Sequence, residues 1–114
     1  MECKFATKEE VSDIVGEPVL SFSVAVGGCW YRLSGSGIGT NEVKITVFYN
    51  KVFQPQKGEV AVSGLGGTAS WDDDLGMLTV QLGKNVLWTQ VGSIKADDKL
   101  ERAKRLVALV RKRI

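Results

Sequence analysis

Residues 19–33 read VLSFSVAVGGCWYRL, two stretches of alternating side chains joined by a pair of glycines. In the first stretch every second residue is large and apolar, which is the period of a half-buried strand: Leu20, Phe22, Val24 and Val26. Gly27-Gly28 permits a tight turn. The return strand is predicted over Cys29 to Leu33, so the sheet begins with an antiparallel hairpin.

Further strands follow the same rule along the chain. Residues 34–41 contain three glycines and predict a loop, after which Val43, Ile45, Val47 and Tyr49 alternate with Lys44, Thr46 and Phe48 and predict a third strand. Residues 50–67 give no clear structure beyond a brief strand near 59–62, and strands are predicted at 69–71, 77–82 and 86–91. The connections are too short for parallel crossovers, so the sheet should be antiparallel, with about five to six strands.

A helix is predicted before the hairpin. Thr7 and Glu10 have the spacing of a capping box, and Val11, Ile14 and Val15 fall on one helical face. Gly16 and Pro18 then end the helix, which should span about residues 8–15.

A second helix closes the chain. Asp97 and Asp98 suit a helix amino terminus. An apolar stripe at 3-4-3-4 spacing should cover the sheet, and it comprises Leu100, Ala103, Val107, Val110 and Ile114. Arg102, Arg105 and Lys112 should point away, and Leu109 falls on the polar side. The predicted class is α+β: one domain, 1–114, with a short N-terminal helix and a longer C-terminal helix packed on the sheet.

Charge is concentrated at the C-terminal end of the chain. The net charge is +2, yet residues 97–114 alone carry seven basic and three acidic side chains. Such a segment attracts nucleic acid or an anionic membrane, although a solvated helix face explains it as well. No helix-turn-helix or RNA-binding signature accompanies it, so nucleic acid is not the expected partner. No apolar run approaches the ~18 residues of a membrane span.

The chain has two cysteines, Cys3 and Cys29, and no histidine. The missing histidine excludes Ser-His-Asp and Cys-His catalysis and histidine metal sites. Two cysteines alone do not make a structural zinc site, so they form either a disulfide or two buried thiols. We expect no cofactor, no metal and no enzymatic activity.

Two short motifs are similar in composition to ligand-binding loops, but turns explain both of them better. Asp72-Asp73-Asp74 offers oxygen ligands, but the alternate spacing of a calcium loop is missing, and Gly83 stands where its bidentate glutamate belongs. Gly64 to Gly67 lacks the ending of a phosphate-binding loop and does not open a helix.

Three aromatic residues are out of phase with the main apolar set on their strands: Trp30, Phe48 and Trp88. They should therefore line the sheet face opposite the closing helix, as a surface for a ligand or a partner. The alternative is a second small core, roofed by the first helix or by residues 50–67.

Several motifs together resemble a family of secreted bacterial lipoproteins and sensor-like domains of unknown function, abundant in actinobacteria. The motifs are Cys3, Thr7 to Glu10, Gly16-Glu17-Pro18-Val19, Cys29-Trp30-Tyr31, Val62 with Gly64 to Gly66, Ala69 and Trp71, and the terminal basic helix. The resemblance implies a Cys3–Cys29 disulfide and an extracytoplasmic location. The chain differs from the family in lacking a lipobox and in having too few residues at 50–58 for the usual helical insert.

These observations favour a non-enzymatic extracytoplasmic binding or sensing module with an unidentified small ligand or protein partner. A lipid anchor would belong to a longer form of the chain. One alternative is a small inhibitor or immunity protein that binds another protein. Another is a cytoplasmic nucleic-acid binder that uses the basic helix, which would require Cys3 and Cys29 to be reduced. Exposed edge strands also allow a homodimer.

Overall fold

The computed structural model describes residues 3–25, 27–33, 41–55 and 57–114. The chain forms two helices, α1 (Lys8–Val15) and α2 (Lys99–Val110), and one antiparallel sheet. The sheet strands are β1 (Val19–Ala25), β2 (Gly28–Leu33), β3 (Glu42–Phe48), β4 (Val60–Ala61), β5 (Ala69–Asp72), β6 (Met77–Leu82) and β7 (Asn85–Gln90). Val26 and most of the predicted loop at 34–41 lie outside the described residues.

The predicted α+β class, antiparallel sheet and terminal helices are confirmed, but the predicted strand number is too low. The sheet has seven strands in the order β1-β2-β3-β7-β6-β5-β4. The strand β4 is only two residues long and pairs with β5 through Val60–Trp71 and Ala61–Ser70. The brief strand predicted near 59–62 covers β4, so its position is predicted, whereas the count of five to six strands leaves one strand out.

The sheet consists of two groups of strands, β1 to β3 and β4 to β7. They meet at the centre of the sheet, where β3 pairs with β7. In this register Lys44 lies opposite Gln90, Thr46 opposite Trp88 and Phe48 opposite Val86. The chain leaves β3 at this central position and returns to the far edge as β4. Residues 49–59 therefore have to cross part of the sheet.

Both helices lie on one face of the sheet and form the core with it. Val11, Ile14 and Val15 of α1 are buried, as predicted. Buried residues of α2 are Ala103, Leu106, Val107 and Val110. Ile114 is exposed because α2 ends at Val110, four residues before the predicted stripe does, and Leu109 packs against the core at half burial.

The edge strand β1 is less buried than the alternation predicts. Phe22 packs against the core, but Leu20 and Val24 are 58% and 49% exposed. The pairing with β2 shifts between Val19 and Ser21, so that Leu20 is the extra residue of a bulge. At the edge of the sheet, moreover, a side chain on the core face has a neighbouring strand on one side only.

The capping box of α1 is present. Glu10 N donates to Thr7 Oγ1 at 3.1 Å, and Thr7 N donates to Glu10 Oε1 at 2.9 Å. At the other end Gly16 adopts a left-handed conformation with φ 77°, and its N–H donates to the carbonyl of Ser12. Because α1 has eight residues, these caps and its buried stripe have to stabilise it.

Cys3 and Cys29 lie at disulfide-bonding distance, with their Cα atoms 6.1 Å apart. Both residues are buried, and Cys29 belongs to β2. The bond therefore links the segment before α1 to the sheet. Within the described residues, no helix has the length and apolar character that crossing a membrane requires.

Candidate ligand-binding groove

The sheet face opposite the helices, called the open face below, carries the three aromatic residues that the sequence singled out. Trp30 on β2 is 39% exposed and Phe48 on β3 is 42% exposed, whereas Trp88 on β7 is half-buried. Their neighbours Tyr31, Val47 and Leu87 are buried in the core. Alternation along each strand thus places these aromatic rings on the open face.

Trp30 stands apart from the other two rings. It lies opposite Lys44 in the β2–β3 pair, and Lys44 Nζ is 4.8 Å from the centre of its ring. Such a cation–π contact is worth about 0.5–1 kcal/mol at an exposed site. Lys44 therefore covers one side of the indole ring, whereas Trp88 lies opposite Thr46, the next open-face residue of β3.

Phe48 and Trp88 form an aromatic pair. Their ring centres are 6.3 Å apart and the rings are inclined by 61°, a favourable edge-to-face arrangement. They are diagonal neighbours across β3 and β7, since Phe48 lies opposite Val86 and Trp88 opposite Thr46. The pair forms an apolar floor at the centre of the open face.

Residues 51–54, called the roof segment below, lie beside this floor. Asn50 turns the chain with a φ of 54°, a left-handed conformation that asparagine tolerates. Its N–H donates to Asn85 Oδ1 at 3.2 Å, and Lys51 N donates to the carbonyl of Lys84 at 3.0 Å. These bonds fix the start of the roof segment to the turn between β6 and β7.

Gln81 on β6 holds the roof segment with both ends of its amide. Its Oε1 accepts from Phe53 N at 2.8 Å, and its Nε2 lies 2.9 Å from the carbonyl oxygen of Lys51. The same Nε2 lies within hydrogen-bond distance of the carbonyls of Gly83 and Asn85. One side chain therefore joins the roof segment to the β6–β7 hairpin.

A groove of about 300 Å³ lies between the roof segment and the open face. Phe48, Met77, Thr79, Val86 and Trp88 form its floor, and Lys51, Val52, Phe53, Gln54 and Glu59 line its sides. Val52 is 80% exposed, so a valine projects into solvent at the rim. The size is at the lower end for ligand sites, and the combination of an apolar floor with a few polar rim groups is typical of them.

The arrangement of the aromatic residues lies between an open surface and a closed second core. Phe48 and Trp88 come together and residues 51–54 lie over part of their surface, but Phe48 stays too exposed for a closed second core. The first helix does not roof this face, because its apolar stripe is buried on the other side of the sheet.

Sequence reasoning missed the roof segment and its anchor. Val52 and Phe53 are the apolar residues of an otherwise polar stretch, which was the available signal. Gln81 resembles any polar residue on a half-buried strand, so nothing in the sequence shows its four hydrogen-bond partners.

The aspartate run forms a turn between β5 and β6. Asp72 Oδ1 accepts from Leu75 N, and Asp73 Oδ1 accepts from Trp71 Nε1, both at 3.1 Å. Among the described residues, no group of three or more aspartate, glutamate, cysteine or histidine side chains is placed to hold a metal ion. The glycine run 64–67 is likewise a turn, with Gly64 and Gly66 at positive φ and Leu65 buried.

The basic C-terminal segment is used largely for contacts within the protein. Arg102 donates to the carbonyl of Ile14, Arg111 to that of Leu65 and Arg113 to that of Phe5. Arg102 also pairs with Asp98, so it does not point away into solvent as predicted. A cation at the carbonyl of Ile14 also suits the C-terminal end of α1.

A wider depression of about 560 Å³ lies beside α1 and the turn into β1. Its lining consists of α1 polar side chains and the turn residues that follow: Lys8, Glu9, Ser12, Asp13, Gly16, Glu17, Pro18 and Val19. It is larger than the groove on the open face, but no aromatic side chain is among these lining residues. We therefore take the groove as the candidate site.

Comparison with known proteins gives no matching family model, no matching curated protein and no matching solved structure. The resemblance to secreted lipoproteins and sensor-like domains thus stays a prediction. What the chain defines is a class of architecture, an antiparallel seven-stranded sheet with two helices on one face and an aromatic groove on the other.

Proposed function

We propose that this protein is a non-enzymatic, extracytoplasmic binding module whose groove takes a small apolar ligand with a flat ring. The observation that carries the proposal is the Phe48–Trp88 pair, which is partly exposed although it lies beneath an anchored roof segment. When a ligand removes such exposed apolar surface from water, the free energy of the system falls, and this favours binding.

The shape of the groove supports a flat ligand. The two rings are inclined by 61°, so a ring that stacks on Trp88 meets the edge of Phe48. Lys51 and Thr79 add polar groups at the side and on the floor, which would orient a ligand with a polar substituent.

Binding without catalysis fits the chemistry of the lining. The floor is apolar apart from Thr79, and the chain has no histidine to act as a general base near neutral pH. The extracytoplasmic location is supported by the buried Cys3–Cys29 pair, because structural disulfides persist mainly in oxidising compartments.

The test is a screen of single-ring and fused-ring aromatic compounds by amide chemical shifts of the oxidised protein. We expect ligands to shift the amides of residues 52–54, Met77 and Trp88 together. Trp88→Ala should weaken binding about tenfold or more, because it removes the stacking surface. Trp30→Ala is the matched control, since Trp30 lies on the same face outside the groove lining, and it should leave the affinity unchanged.

Two results would reject the proposal. One is a complete screen without a compound that shifts the groove amides. The other is binding that Trp88→Ala and Trp30→Ala reduce equally, which would indicate general adhesion to exposed aromatic surface.

A further inference from the structure

The strand β1 has an unpaired outer edge. It pairs with β2 on one side, and within the described residues no strand lies on its other side. An edge of this kind presents a row of backbone N–H and C=O groups that are ready to pair with another strand. Leu20 and Val24 add exposed apolar side chains along it.

The edge lacks most of the devices that prevent pairing. Proteins protect edges with lysine, proline, bulges or very short strands. Residues 19–25 contain neither a charged residue nor a proline, although the strand has seven residues. The bulge at Leu20 lies near its beginning and leaves regular pairing from Ser21 onwards. The opposite edge of the sheet, β4, has two residues and is short enough to be protected.

The side chains of β1 are symmetric about Phe22. Residues 20–24 read Leu-Ser-Phe-Ser-Val, so the pattern is apolar, serine, phenylalanine, serine, apolar in both directions. A two-fold interface needs this property, because it pairs residue i of one copy with j of the other and j with i. Antiparallel pairing centred on Phe22 sets Ser21 opposite Ser23 of the second copy, and the bulge residue Leu20 falls at the end of the paired stretch, at the position of Val24 of the second copy.

The faces of the strand also match. Ser21 lies opposite Arg32 and Ser23 opposite Trp30, which places both serines on the open face. Serine pairs across two strands can form hydrogen bonds, and no like charges meet anywhere along the pairing. Phe22 lies opposite Tyr31 on the core face, so the two Phe22 rings would extend the cores of both copies toward each other.

We propose that two copies of this chain associate through antiparallel pairing of β1 with β1, about a two-fold axis at Phe22. The partner is a second copy rather than an unrelated strand, because the symmetry of the pattern satisfies both halves of the interface at once. The groove lies over β3, β6 and β7, so this pairing leaves it open.

Sedimentation velocity of the oxidised full chain from micromolar to millimolar concentration tests the proposal. We expect the wild type to show a concentration-dependent monomer–dimer equilibrium. S21K/S23K places like charges opposite each other twice, and it should weaken the dimer at least about tenfold. S21K/S23E places opposite charges in the same two positions and should restore association.

The matched control is a double substitution on β4, at the opposite edge of the sheet. V60K/A61K carries the same two added charges on β4 and should leave the equilibrium unchanged. Circular dichroism and thermal melting of each variant confirm that it folds. Amide hydrogen exchange of wild-type residues 21–24 should slow as the concentration rises, which needs no variant at all.

A wild type that stays monomeric at about 1 mM would overturn the proposal. Equal dissociation by S21K/S23K and S21K/S23E would overturn the Phe22-centred register. Dissociation by V60K/A61K would place the interface at the other edge, and it would also contradict the proposal.

Discussion

Glu10 carries two structural tasks at the residue scale. Its carboxylate accepts the N–H of Thr7 in the capping box of α1, and it pairs with both terminal nitrogens of Arg113 at 2.6 and 2.7 Å. The hydrogen bonds from Arg113, followed by that from Thr7, lower the pKa of Glu10 from 4.5 to about 2. One side chain thus ties the first helix to the C-terminal end of the chain.

The pH dependence follows from this pKa. Since the folded form holds the Glu10 proton more weakly than the unfolded form, the contribution to stability is complete above about pH 4.5 and is lost as the pH falls to about 2. Glu10→Gln keeps an oxygen for Thr7 N but removes the charge. We expect it to lower the melting temperature at pH 7 by about 1–5 °C and to have almost no effect at pH 2.

Melting curves of wild type and Glu10→Gln between pH 7 and pH 2 check this expectation. Glu9→Gln is the control, because Glu9 lies one residue away in the same first turn of α1, whereas Arg113 pairs with Glu10. A difference between wild type and Glu10→Gln that stays constant down to pH 2 would show that the Arg113 pair is not its cause.

Two aromatic residues that are adjacent in the sequence, Trp30 and Tyr31, have different environments in the structure. Trp30 lies on the open face, whereas Tyr31 is completely buried and donates its hydroxyl hydrogen to the carbonyl of Ala6 at 2.5 Å. Burial raises the pKa of Tyr31. Of these two consecutive aromatic residues, one is thus partly exposed, while the next anchors the N-terminal segment to the sheet.

At the scale of elements, the roof segment depends on a side chain from another element. Gln81 stands on β6 and supplies the hydrogen bonds that residues 51–53 would otherwise have to find in water. Asn50 and Lys51 add two further bonds to the β6–β7 turn. The groove therefore has a fixed wall although the roof segment contains neither helix nor strand.

Gln81→Leu keeps a similar volume and removes every one of these amide contacts. Because a net hydrogen bond contributes about 0.5–1.5 kcal/mol, we expect the amide of Phe53 to exchange about tenfold faster or more. Global stability should fall by only about 1–2 kcal/mol, because water can reach the freed groups.

Hydrogen exchange of assigned amides measures the local effect, and Gln90→Leu is its matched control. Gln90 is also a half-buried glutamine on this face, but among the described residues its amide contacts only the carbonyl of Leu75, at 3.3 Å. If Gln81→Leu leaves the exchange of Phe53 as slow as in Gln90→Leu, the anchoring role of Gln81 is wrong.

At the scale of the whole molecule, long-range links hold the two ends of the chain on one sheet face. Arg102 joins α2 to the end of α1, Arg113 joins the C-terminal segment to Phe5 and Glu10, and the disulfide joins Cys3 to β2. Part of the positive charge near the C terminus thus serves to bind carbonyl groups and a carboxylate within the protein.

Reduction of the disulfide tests the largest of these links. The two cysteines are 26 residues apart, and the chain-entropy model gives about 3–4 kcal/mol for a loop of this length. We expect reduced wild type to unfold in urea with a free energy lower by this amount, because the link restricts the unfolded chain.

Cys3→Ala/Cys29→Ala is the companion variant, and adding reductant should not change its unfolding curve. A loss below about 1 kcal/mol on reduction of the wild type would contradict the proposed stabilising role. The same measurement bears on location, since a protein that depends on this bond needs an oxidising compartment.

The sequence alone predicts most of the local structure, and for identifiable reasons. The capping box and Gly16 define α1, and alternation along β3 and β6 assigns their faces correctly. Sequence patterns fail where the tertiary position of a residue decides its burial. Leu20 and Val24 alternate like core residues, but they lie on an edge strand and are exposed. Ile114 continues the apolar stripe of α2, but the helix ends before it. Alternation shows which face a side chain takes, and it does not show whether anything covers that face.

Some features of the candidate site likewise follow from the sequence, and others are visible only in the tertiary structure. Phase along β2, β3 and β7 is a local property, so the sequence by itself determined that Trp30, Phe48 and Trp88 share one face. Only the tertiary structure decided that Phe48 and Trp88 meet while Lys44 covers Trp30, and that Gln81 holds residues 51–54 above the pair. The physical reason is that these contacts join strands far apart in the sequence, and their register is set by the packing of the whole sheet.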